Sequence, residues 1–132
     1  MSKTELYEKG IAIRKQLRGE AGFEANNQEY AADPMAEEFI DVVTETVFGA
    51  LWSRPGLDIK TRTLICVVSD VATGRYPELD IHLRFALRQG WTEEVLKEAM
   101  LHLSGYVGVP LVREAILVAK ETFSDVRATA KS

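Results

Sequence analysis

The chain has 132 residues, one domain's worth by the usual size range, and enough length to bury a real core. Acidic residues outnumber basic ones, 20 to 16, giving a net charge of −4, and no lysine-arginine block offsets them, which argues against a general nucleic-acid binder. Apolar runs such as Leu64 to Val68 fall far short of the ~20 residues that span a membrane. The charged start MSKTELYEKG lacks the apolar centre of a signal peptide, so a cytoplasmic location is expected. A single cysteine, Cys66, excludes an intrachain disulfide and a CxxC redox pair.

Taken in order, Ser2-Lys-Thr-Glu5 fits a capping box, and Leu6, Gly10, Ile13 and Leu17 follow at helical spacing to a stop at Gly19. The polar stretch from Glu20 to Ala32 reads as a loop anchored by Phe23 and Tyr30. Asp33-Pro34 starts a second helix, because aspartate caps and proline suits the first turn. Met35, Phe39, Val42, Val43, Thr46, Val47 and Ala50 trace its apolar face. That helix must stop before Pro55, which makes WSRPGL, residues 52 to 57, a tight connection exposing Trp52 and Arg54.

Asp58 to Thr73 is the most apolar helix, its β-branched residues notwithstanding, since it is long and does not alternate. Gly74 ends it. Pro77 opens the next helix, which runs to Gln89 and stops at Gly90; Thr92 caps a further one, with Glu93 and Glu94 at the positive end of its dipole. Val95, Leu96, Ala99, Met100 and Leu103 form its buried face until Gly105 breaks it. Gly108-Val-Pro110 starts the last helix, with Leu111, Ala115, Leu117, Val118 and Phe123 inward and a polar tail that frays after Ser124. No strand pattern and no internal repeat survive this reading, so the fold class is all-α, helix pairs joined by short loops.

The chemistry-bearing residues gather between Gly74 and Pro110. Glu78 and His82 are four apart, one above the other on a helix, with Arg75 at the helix entrance. A carboxylate beside an imidazole fixes its tautomer, as a general acid or base requires; the same spacing also describes a plain surface pair. His102 lies on the border of an apolar face with Tyr106 one turn later, a position that suits a packed histidine or a second proton donor. Metal binding is not expected, because the usual helical signature of two histidines four apart is absent. Cys66 sits in the most apolar helix with no base nearby, as a packed thiol does. There is no phosphate-binding glycine loop and no GxSxG elbow. Trp52 and Trp91 both follow helix ends, where Trp91 reads as a plug between helices.

These residues stand in a recognisable order: Glu8-Lys9-Gly10, Ile13-Arg14, Gly19-Glu20, Trp52-Ser53-Arg54-Pro55-Gly56-Leu57, Arg62-Thr63-Leu64, Gly74-Arg75, Glu78-Leu79, His82-Leu83-Arg84, Gly90, His102, Tyr106, Gly108 and Pro110. The pattern resembles the gamma-carboxymuconolactone decarboxylase family over nearly the whole chain. WSRPGL together with GRxxELxxHLR carries most of the specificity. Alkylhydroperoxidase-like members of the same superfamily hold a CxxC pair where this chain has Arg75 and Glu78, and a lone Cys66 supplies no resolving partner, so acid-base rather than peroxidase chemistry is expected.

The resemblance implies a compact all-helical domain spanning residues 1–132 that assembles into homo-oligomers, trimers or hexamers. It implies a cofactor-free decarboxylase acting on a carboxylated unsaturated lactone from aromatic breakdown, converting 4-carboxymuconolactone to 3-oxoadipate enol-lactone. His82, Glu78 and His102 are the expected catalytic residues. Arg75, Arg84, Arg54, Trp52 and Tyr106 are the expected substrate-binding set, the arginines clamping carboxylates by paired hydrogen bonds. A related lyase or tautomerase on another small lactone or oxo-acid, and a non-catalytic oligomeric binding protein, remain the alternatives. The chain departs from the family pattern at Tyr76-Pro77, Asp80 and Leu111-Val112-Arg113, and a carboxylate at Asp80 is expected to weaken binding of a dicarboxylate.

Overall fold

A computed structural model describes residues 4–130, and every regular element among them is helical. The chain divides into two compact units, Met1–Ile59 and Lys60–Ser132.

In the first unit, α1 spans Glu5–Ala31 and α2 spans Pro34–Val43, continuing as a π-helical segment, Thr44–Leu51. Ser2 of the expected capping box lies outside the described residues. The cap is Thr4, whose hydroxyl accepts from the Tyr7 amide at 3.0 Å and donates to Glu45. Gly19 does break the helical geometry, with φ 77° and ψ 163°, but the chain resumes as helix through Ala31 instead of forming a loop.

The cause is Arg14. Its guanidinium is buried, lies 4.8 Å over the Phe23 ring, and donates to Asn26 Oδ1 (2.9 Å), Asn27 Oδ1 (3.0 Å) and the Thr44 hydroxyl (3.2 Å). A buried cation must find acceptors, and both asparagines present theirs from the resumed helix. Burial, and then the neighbouring Arg18, push this guanidinium below the ordinary arginine value.

Asp33 caps α2 as expected, accepting from the Ala36 amide at 2.9 Å. The apolar face read from the sequence is not the packed one, however: Met35, Phe39 and Val42 are each more than half exposed. The buried positions are Ile40, Thr44 and Gly49. A Cβ on Gly10 would come within 2.0 Å of the Thr44 carbonyl oxygen, and one on Gly49 within 2.0 Å of the Leu6 carbonyl oxygen. The π segment therefore meets α1 backbone to backbone along a seam of small residues, which hydropathy does not mark.

The second unit holds α3 (Ile59–Thr73, its first residue at the junction), α4 (Tyr76–Arg88), α5 (Glu93–Leu103) and α6 (Val109–Ala130). Val67 and Val71, Leu79, Leu83 and Ala86, Leu96 and Met100, and Val112, Ala115, Ala119 and Phe123 form one core from all four helices. Gly74 (φ +68°) ends α3 with paired bonds, Arg75 N–H to the Asp70 carbonyl (2.9 Å) and Gly74 N–H to that of Val71 (3.3 Å). This is the Schellman arrangement, and Gly90 repeats it at the end of α4. Thr92 caps α5, accepting from the Val95 amide at 3.1 Å. The tail does not fray at Ser124: α6 continues to Ala130, and Arg127 donates to Glu93 on α5. Trp91 plugs the corner as read, its indole N–H reaching the Lys60 carbonyl at 2.7 Å with the Lys60 ammonium 4.5 Å over the ring. No helix among the described residues is long and apolar enough to cross a membrane.

Candidate active site

The α3–Gly74–α4 hairpin folds Asp70 and His82 together. His82 Nδ1 lies 2.5 Å from Asp70 Oδ2, with the carboxylate side chain 7% exposed and the imidazole 21%. Asp70 sits one turn before the Schellman turn, and its backbone carbonyl accepts from Arg75 in that same turn. The carboxylate that faces His82 thus belongs to a residue whose backbone is already pinned. The Phe85 ring closes on the imidazole edge-on, with centroids 5.6 Å apart. Among the described residues no other hydrogen bond reaches the His82 ring.

Asp70 was not anticipated. Glu78, the expected orienting partner, stands one turn before His82 on the same flank of α4 but is exposed and forms no hydrogen bond or ion pair with it. The physical reason is hydration. Glu78 keeps its water, whereas a buried carboxylate has to find a protein partner and takes the imidazole. One signal was available: Asp70 is the lone acid inside α3, on a stretch with Val67 and Val71, both fully buried.

Arg75 occupies the N-cap of α4, exposed, with no ion-pair partner among the described residues. It stands about 10 Å along the axis from His82, a span that a long guanidinium side chain and a small dicarboxylate can bridge together. Arg84 is differently placed. It is two residues beyond His82, hence roughly 200° round the helix, on the opposite flank. There Nε lies 3.2 Å from Asp80 Oδ1, and Nη1 lies 2.9 Å from Asp125 Oδ2. Burial alone would lower the Arg84 pKa, but the bonds to Asp125 and Asp80 outweigh it and hold the guanidinium above its ordinary value. Asp80 also accepts from the Thr122 hydroxyl at 2.5 Å. The extra carboxylate therefore does not face the His82 flank, contrary to the expectation that it would weaken anion binding there. Tyr76, another departure, donates to the Leu111 carbonyl at 3.5 Å, so two of the departing positions contact each other.

His102 is exposed in the last turn of α5, its ring 5.0 Å from that of Tyr106, and no hydrogen bond or ring contact among the described residues joins this pair to His82. Trp52 and Arg54 belong to the first unit. Arg54 is exposed as expected, but Trp52 is buried, with its ring 6.0 Å from Phe48. A recess of about 520 Å³ lies between α4 and α6, lined by Tyr76, Asp80, Arg84, Thr122 and Asp125 among others, on the flank away from His82. Cys66, one turn before Asp70, has its thiol pushed up to about 11 by burial, with the Asp70 charge adding to the effect.

Residues 37–121 match the model of the carboxymuconolactone decarboxylase family. The chain is 33% identical over 126 residues to 4-carboxymuconolactone decarboxylase of Acinetobacter baylyi, covering 96% of this chain and 92% of that one. It is 35% identical over 121 residues to nitrosuccinic acid decarboxylase npaB of Metarhizium robertsii, covering 92% and 83%. An uncharacterized 15.0 kDa protein of Paracoccus denitrificans is 30% identical over 83 residues, 61% of this chain and 62% of that one. Two relatives named as decarboxylases across most of the chain mark it as a carboxy-lyase. With a matching family model over residues 37–121 as well, the chain belongs to the carboxymuconolactone decarboxylase family.

Proposed function

We propose that the chain decarboxylates a small carboxylated unsaturated lactone, 4-carboxymuconolactone first among the candidates, giving 3-oxoadipate enol-lactone in the breakdown of aromatic compounds. The observation that carries this reading is the flank of α4. It presents an imidazole with one nitrogen committed to Asp70 and the other free, together with the unneutralised cation of Arg75 at the helix entrance. Breaking the bond between the γ carbon and its carboxylate releases carbon dioxide. The electron pair left behind moves through the ring double bond to the lactone carbonyl oxygen. The ring is its own electron sink, so the protein has to hold an anion, stabilise the oxyanion and return a proton to carbon. His82 Nε2 is the group for proton delivery or for the oxyanion. Arg75 holds a carboxylate.

A second reading keeps the machinery and changes the sink. In nitrosuccinic acid, on which the Metarhizium relative is named to act, a nitro group takes the electron pair that the lactone carbonyl takes above. The purified protein, confirmed folded by circular dichroism, is mixed with each compound and carbon dioxide release is followed. Release from the lactone supports the first reading, and release from nitrosuccinic acid alone selects the second. Release from neither above the buffer rate overturns both. Assembly into a trimer or hexamer in the cytoplasm belongs to the same proposal; the exposed stripe of Met35, Phe39 and Val42 supports an oligomer, and sedimentation reads its size.

A further inference from the structure

We infer that Asp70 is the positioning residue of this site: its buried carboxylate holds His82 as the Nδ1–H tautomer, so that all proton exchange with substrate runs through Nε2. The inference rests on the reading of His82 as the proton-handling group.

An ionised carboxylate is only an acceptor, so a 2.5 Å contact from Nδ1 to Asp70 Oδ2 requires the proton to lie on Nδ1. Burial makes that requirement strong. With 7% of its side chain exposed, Asp70 has little water to substitute for the imidazole, and a lost partner leaves a buried charge unpaired. The backbone on both sides of the contact is fixed. Asp70 closes the Schellman turn through its own carbonyl, and Leu79 and Leu83, which flank His82 on α4, are fully buried in the core. Phe85 limits rotation of the ring from a third direction. The nearby titratable groups are Cys66, one turn back on α3, and Glu78, one turn back on α4; neither is hydrogen-bonded to the ring. The imidazole thus points one nitrogen inward and keeps it there, while the other stays available. A proton donor to carbon needs that arrangement, because a ring that flips or changes tautomer presents the wrong nitrogen.

Long-range nitrogen–proton correlation spectra of the nitrogen-labelled protein, at a pH where the imidazoles are neutral, distinguish the two tautomers directly. His82 is expected as Nδ1–H. Exposed His102 serves as the internal reference and should show the Nε2–H form that solvated histidines favour. Asp70→Asn can turn its amide N–H toward Nδ1, so His82 should switch to Nε2–H and kcat should fall by about 10²–10⁴-fold with KM changed less than about threefold. Asp70→Glu, which keeps the acceptor, should restore part of that loss. His82 as Nε2–H in the wild type, or a folded Asp70→Asn protein with kcat within threefold on an accepted substrate, overturns the inference. Should Asp70→Asn fail to fold, the wild-type tautomer still decides. A wild type that shows the Nδ1–H signature but is inactive on the lactone and on nitrosuccinic acid overturns the functional reading instead and leaves the tautomer assignment in place.

Discussion

The two arginines flanking His82 should separate cleanly when each is replaced by alanine. Arg84 bonds Asp80 and Asp125 at 3.2 and 2.9 Å with 41% of its side chain exposed. Exposed pairs of this kind contribute 0.2–1 kcal/mol each, so Arg84→Ala should cost about 1 kcal/mol, or about 4 °C in Tm for a chain of this size. Its catalytic effect should stay within about threefold, because it lies roughly 200° round α4 from the imidazole. Among the described residues Arg75 makes no such pair, so Arg75→Ala should leave stability within about 0.5 kcal/mol. A hydrogen bond to a charged group is worth about 1.5–3 kcal/mol, and losing one to the substrate carboxylate should lower kcat/KM by about 10- to 150-fold. Urea denaturation and steady-state carbon dioxide release on the same preparations read both quantities. If Arg84→Ala abolished activity while Arg75→Ala left it untouched, the assignment of the substrate to the His82 flank would be wrong.

Two further outcomes test the packing and the electrostatics. Gly10→Ala gains about 1 kcal/mol of helix propensity, yet its Cβ would sit 2.0 Å from the Thr44 carbonyl oxygen, so α1 and the π segment must part by roughly an ångström or more. Net destabilisation of about 2 kcal/mol in urea is expected, and a variant as stable as wild type would refute the close seam. Cys66, with its thiol at about 11, should react slowly with iodoacetamide at pH 8. The thiolate fraction falls about 100-fold against a free cysteine, and the greater nucleophilicity of a more basic thiolate returns about tenfold of that. Alkylation at least tenfold slower than that of a model thiol, accelerating as pH rises towards 11, is the expected result; a free-cysteine rate at pH 8 would contradict it.

Punctuation residues made most of the fold legible. Asp33-Pro34, Gly74, Gly90 and Thr92 each act through local backbone chemistry, and each does in the structure what its residue type dictates. Where the reading went astray, the deciding partner was distant in sequence. The helix from Glu20 to Ala31 follows from a buried arginine whose acceptors are Asn26 and Asn27. The packed face of α2 and its π extension follows from Gly10 and Gly49, which contribute closeness instead of apolar area. Counting along α4 places His82 and Arg75 on one helix flank, and the structure keeps them on that helix. Glu78 stands out in the sequence because i,i+4 spacing can be counted, while a contact made across a turn, such as that of Asp70, cannot. Arg84 was included on the strength of the HLR triplet, although the phase of a helix puts alternate residues on opposite sides.

A peroxidatic thiol needs a lowered pKa and a resolving partner, and the positions where the resemblance implies that pair carry Arg75 and Glu78. The cysteine that remains, Cys66, sits one turn before Asp70. After burial, it is the Asp70 charge that disfavours its thiolate. The same carboxylate bonds Nδ1 of His82. One buried charge at the end of α3 therefore has two effects: it adds to burial in disfavouring the Cys66 thiolate, and it fixes the imidazole for proton exchange. Replacing Asp70 by asparagine should move both at once, lowering the Cys66 pKa as it switches His82 to the Nε2–H form. A fall in that pKa without a change of tautomer would show that the carboxylate reaches the thiol but does not govern the histidine.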